Sequence, residues 1–158
     1  MTAKEIIEKI KETTYIDTFA DTLVTVPDTF KASKEAQKVR DEKNQAYEKI
    51  KTHPYNNDRK TDKDGYNKLS KIYNDLPYNW KEIQNEYLES IGIGEMKEVE
   101  QFGGEGKGDS WYSIKYFPKH NIYLNVHGFY SSYNGIDYCS WDEVKEVKPQ
   151  TRTIVVYE

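Results

Sequence analysis

Chemistry in this chain would have to come from few residues. Its three histidines, His53, His120 and His127, stand far apart, and none forms the His-x-x-x-His spacing that puts two rings on one helix face. Cys139 is the only cysteine, so no Cys-x-x-Cys pair exists either. No metal site and no cofactor is expected. Cys139 with His127 would be the nucleophile and base to consider, because a thiol attacks readily only when a base removes its proton. No third group stands at a recognisable spacing to orient such a pair, and a lone cysteine commonly fills space. Asp137, Glu143 and Lys145 follow the carboxylate, carboxylate, lysine order of many metal-dependent nucleases. The Glu-x-Lys part recurs at Glu95–Lys97 and Glu146–Lys148, as chance gives in a chain with 32% charged residues.

The glycines at 103, 104, 106 and 108 imitate a phosphate loop. A phosphate loop needs a following helix, whose N-terminal N–H groups face the anion, and a Lys-Ser/Thr pair at its end. Here Lys107 precedes Gly108 and the next segment reads as a strand, so these glycines are expected to form a hairpin turn.

The elements that position these residues change character midway. Residues 2–13 read as a helix, with Thr2 and Glu5 at capping-box spacing and Ala3, Ile6, Ile7 and Ile10 on one face. Tyr15–Val26 has no clear period and reads as irregular, with room for a short strand or helical turn. Asp28 is expected to open a helix to about Lys51, which His53-Pro54 stops because the residue before proline leaves the α region. Residues 55–65 read as a polar loop. Two helices follow, one carrying Leu69, Ile72, Tyr73 and Leu76. The other, from Asn79 through Trp80, Ile83, Tyr87 and Ile91, is expected to pack on a sheet. Past Gly94 the period becomes two, with strands expected near 96–102, 110–117, 121–130 and 151–157. Pro118–Asn121 and Asn134-Gly135 read as hairpin turns. Residues 140–148 are open between a helical turn, from the Ser140/Glu143 capping-box spacing, and a bulged strand. The class is α+β: N-terminal helices (1–92) packed on a C-terminal antiparallel meander of four to five strands (93–158).

Composition narrows function further. The net charge of −4 argues against a dedicated nucleic-acid protein. With 27 acids against 23 bases the whole chain cannot match duplex DNA, which carries one charge per about 1.7 Å. The mean hydropathy of −0.95 leaves a thin apolar supply that 14 tyrosines supplement. The lone cysteine suits a reducing compartment, no apolar run suits a membrane span, and the charged N-terminal helix is not a signal peptide, so a cytoplasmic protein is expected.

What remains is surface. In strand 121–130, Ile122, Leu124, Val126 and Tyr130 alternate with Tyr123, Asn125, His127 and Phe129. The first set reads as core, with Tyr112, Ile114 and Tyr116 facing it. The second set, beside Trp111, Ser113 and Lys115, mixes aromatic rings with polar tips, as interface hot spots do. The candidate partner-binding residues are Trp111, Tyr123, Asn125, His127, Phe129 and Tyr133. The alternative is that the helix from Asn79 covers this face. A second candidate is a basic docking face on the long helix, at Lys31, Lys34 and Lys38, where residues 31–51 carry seven Lys/Arg against four Asp/Glu.

The stretch GGEGKGDSWYSIKYFPKHNIYLNVHGFYSSYNGIDY and the ending EVKPQTRTIVVYE resemble a C-terminal module of small phage and prophage proteins. The resemblance spans about residues 99–158. It rests on the turn Gly104 to Gly106, on Trp111, on Gly128, Tyr130, Ser131, Ser132 and Gly135, and on Pro149, Tyr157 and Glu158. It implies no catalytic residues. It implies the setting of a phage or mobile element. By exclusion, with no catalytic constellation or metal cluster in an acidic, aromatic-rich chain, the expected function is a non-enzymatic protein that binds and inhibits a host protein such as a defence nuclease, in the manner of an anti-CRISPR. The alternatives are a nucleic-acid-binding accessory protein using the basic helix and, third, a small nuclease using Asp137, Glu143 and Lys145.

Overall fold

The computed structural model describes residues 1–59, 61–77 and 79–150. The expected strand 151–157 lies outside them. Among the described residues five α-helices precede the sheet: α1 (Ala3–Lys11), α2 (Ile16–Ala20), α3 (Lys34–Lys51), α4 (Lys63–Asp75) and α5 (Trp80–Ser90). The strands are β1 (Lys97–Phe102), β2 (Ser110–Phe117), β3 (Ile122–Ser131), β4 (Gly135–Tyr138) and β5 (Lys145–Val147). The class is α+β with an antiparallel sheet, and no described helix is long and apolar enough to cross a membrane.

The contacts divide the chain into two compact units. One comprises Met1–Pro27 with the chain from Leu88 onward, and the other Asp28–Tyr87. In the second unit, α3 starts later than expected. Ser33, not Asp28, caps it: Ser33 Oγ accepts from Ala36 N at 3.2 Å. The Ser33 N–H and hydroxyl each donate to the Glu86 carboxylate at 2.7 Å, which fixes the entry of the chain into the helix. Lys43 crosses to α4, donating to Leu76 O at 2.9 Å with its ammonium 4.4 Å from the Tyr73 ring centre. Asp62 caps α4 through Gly65 N, so the helix starts inside the stretch expected as a loop.

The sheet unit holds the main β structure. Its strand order is β1-β2-β3-β4, and β5 joins β3. The long β3 shares its second edge: β4 pairs along Gly128–Ser131 and β5 along Tyr123–Asn125. Between them a 3-10 turn at Trp141–Glu143 carries the Ser140/Glu143 capping box, so the ambiguous stretch 140–148 contains both a helical turn and a strand. The Thr2/Glu5 capping box at α1 is also formed. Tyr15–Val26 contains the one-turn α2.

One expectation about facing is reversed. The four-residue turn Pro118–Asn121 sets Phe117 opposite Ile122, and from there Lys115 pairs with Leu124, Ser113 with Val126 and Trp111 with Gly128. Paired residues share a face, so the buried side of β2 is Trp111, Ser113, Lys115 and Phe117. Tyr112, Ile114 and Tyr116 point the other way. The core face also receives Ile6 and Ile10 of α1 and Phe19 of α2. It is held by a buried cation: Lys115, 0% exposed, donates to Ala20 O at 2.6 Å, Thr22 Oγ1 at 2.5 Å and Glu98 Oε2 at 2.8 Å. Ser113 Oγ gives the same Glu98 oxygen a further bond at 2.6 Å.

Candidate interaction surface

Turning β2 over changes which residues make the second face. Register places Phe102, Tyr112 and His127 in one row across it, and Glu100, Ile114, Asn125 and Lys145 in the next. Lys97, Tyr116, Tyr123 and Val147 form a third. Cross-strand aromatic pairs stiffen this face: Tyr116 and Tyr123 stack with centroids 4.3 Å apart, Phe102 and Tyr112 at 5.8 Å. A bulge between Glu98 and Glu100 turns Val99 into an open hollow of about 380 Å³, lined also by Glu100, Tyr112, Ile114, Tyr123 and Val147.

Polar groups on the face are held to different degrees. Tyr112 donates its hydroxyl to Glu100 Oε1 at 2.6 Å, and that bond raises the phenol's pKa. Among the described residues the buried Asn125 Oδ1 has no hydrogen-bond partner, a situation that costs about 1–3 kcal/mol. Phe129 stands 56% exposed, Phe102 44% and Val99 51%, and Tyr133, at the tip of the β3–β4 turn, 96%.

Of the partner-binding candidates, Tyr123, Asn125, His127 and Phe129 therefore share one face, with Tyr133 at its end. Trp111 does not join them. It is 3% exposed on the opposite face, its ring edge-on to Tyr138 at 5.1 Å across Gly128. Phe102, Val99, Tyr112, Ile114 and Tyr116 take its place, and sequence reading passed over them in this role. Counting residue pairs outward from the Pro118–Asn121 turn was the signal that could have found them.

The remaining candidates have local explanations. Lys31, Lys34 and Lys38 are exposed in the helical unit, along an open hollow that also contains Asp28, Asp41 and Glu42, with Lys38 Nζ 4.0 Å from Glu42. The Glu143 carboxylate accepts from Ser140 N at 2.9 Å and Oγ at 3.0 Å, and these bonds hold it below the usual carboxylate range. It is a cap, while Asp137 and Lys145 lie on β4 and β5. Cys139 is buried, and burial pushes its thiol pKa up, away from the thiolate that a nucleophile requires. Gly103, Gly104, Gly106 and Gly108 all have positive φ, from 75° to 104°, as turn residues between β1 and β2. Among the described residues no group of three or more His, Cys, Asp or Glu could hold a metal ion.

No protein-family model matches the chain, and neither does a curated protein or a solved structure.

Proposed function

We propose that this chain is a non-enzymatic binding protein that engages a protein partner through the second face of its sheet and acts by occluding that partner. The observation that carries this reading is the exposure of Phe102, Phe129 and Val99 on one face and of Tyr133 at its end, while the other face buries its aromatics. Soluble surfaces seldom gather large apolar side chains without an interaction to use them, and aromatic anchors with polar neighbours are the usual content of energetic hot spots. The resemblance to phage and prophage modules supports the biological setting: a mobile-element protein acting in the bacterial cytoplasm on a host protein, with a defence nuclease as the first target to try.

The test is affinity capture from bacterial lysate with and without nuclease treatment, followed by the same capture with Phe129→Ala and Tyr123→Ala. A protein partner that survives nuclease treatment and is lost with these substitutions supports the reading. A partner that disappears with the nucleic acid would instead favour the nucleic-acid accessory role of the basic helix.

A further inference from the structure

One end of the candidate face has a distinct chemistry. Because β2 and β3 are antiparallel, the glycine loop between β1 and β2 and the turn between β3 and β4 emerge at the same end of the sheet. The two are tied together by Tyr130 N donating to Asp109 O at 2.7 Å. Three of the exposed rings, Phe102, Phe129 and Tyr133, lie here. So do four exposed carboxylates: Glu100 and Asp137 on the strands, Glu105 and Asp109 in the loop. Asp137 pairs with Phe129 across the β3–β4 ladder. Among the described residues none of the four is in an ion pair, and the only lysine in the loop is Lys107.

The geometry points to a basic, arginine-presenting protein surface as the occupant of this end. The inference rests on the function proposed above and names the partner's chemistry. Carboxylates without internal cations supply the complementary potential that steers and registers a positive surface. The neighbouring rings discriminate between cations, because a guanidinium stacks on an aromatic face while pairing with a carboxylate, and a strongly hydrated lysine ammonium does this less well.

The probe is a short fluorescent peptide alternating arginine and glycine, with a lysine version of equal length, titrated against the full chain by fluorescence anisotropy. The arginine peptide should bind more tightly than the lysine peptide. Its affinity should fall about tenfold in E100Q/E105Q/D109N/D137N, as four rim charges of a few tenths of a kcal/mol each would give. It should fall likewise in F102A/F129A and stay unchanged in D41N/E42Q, an acidic control in the helical unit. All eight positions are exposed, and glutamine at 100 still accepts the Tyr112 bond. Equal affinity for both peptides, or an equal loss in the control, would overturn the inference. So would a captured partner that the fourfold variant retains in full. If that partner is still lost in Phe129→Ala, the binding face stands and only its basic chemistry is wrong. A partner kept in Phe129→Ala rejects the face itself.

Discussion

Lys115 shows how much one side chain settles in this protein. A lysine between Ile114 and Tyr116 reads as a solvated position, yet its ammonium is taken out of water and given three acceptors from two other segments. The Glu98 side chain is 34% exposed, so Lys115→Ala strands no buried charge but empties the volume of a long buried side chain and removes its three bonds, and should cost about 2–4 kcal/mol in urea unfolding. A stability close to wild type would mean that the bonds are not formed in solution. The pH response follows from the same group. Burial alone would raise the Glu98 carboxyl, but the bonds from Lys115, Ser113 and Thr22 outweigh it and leave its pKa below the usual value. Stability from Glu98 is thus complete above the unfolded carboxylate value, about 4.3, and is lost as pH falls through the lower folded value. Burial lowers the Lys115 ammonium, with Glu98 partly opposing, so its cost is relieved only as pH rises from that folded value toward the unfolded one, about 10.4. Only the Glu98 term makes the fold acid-sensitive, while the Lys115 term raises stability on the alkaline side. Glu98→Gln should flatten the acid limb of a stability–pH profile, and an unchanged limb would assign acid sensitivity elsewhere. Asn125 offers the opposite case. Its orphaned oxygen makes Asn125→Val neutral or stabilising in thermal unfolding, and a clear loss of stability would reveal a partner for the amide.

At the scale of elements, local signals carried far. Capping boxes at Thr2/Glu5 and Ser140/Glu143, the Pro54 stop and the hairpin turns were legible because each depends on residues within a few positions. The edges of β1 and β2 were legible for the same reason, since period-two segments end where turn residues begin. The facing of β2 was not, because alternation has two phases and both of its faces carry rings. Polarity then favoured the wrong phase, since the buried Ser113 and Lys115 find their acceptor on Glu98 of another strand. The start of α3 was missed similarly: Ser33 is a cap whose own polar atoms are satisfied by Glu86, 53 residues away. Gly128 belongs to this scale too. It sits between Trp111 and Tyr138 in the ladder, and a Cβ there would stand 2.7 Å from Asp137 O and 3.0 Å from Ile136 Cγ2. Gly128→Val should therefore separate β3 from β4 and destabilise by about 1–3 kcal/mol. Retention of the wild-type melting temperature would show that the strands can shift to accept it.

On the scale of the whole molecule, the sheet unit divides its labour between two faces. One is closed by α1, α2 and the Lys115 cluster and supplies the fold. The other carries exposed rings, an open hollow and carboxylates that form no ion pair among the described residues, and offers a partner little to disturb. Substitutions on the second face should consequently separate binding from stability, which those at Lys115 or Gly128 cannot do. The most direct test is calorimetric titration of the captured partner against wild type and Phe129→Ala, with thermal unfolding of both proteins. The face predicts that affinity falls at least about tenfold, as for a hot-spot residue, while the melting temperature stays within about 2 °C. Unchanged affinity in a folded Phe129→Ala protein would contradict it.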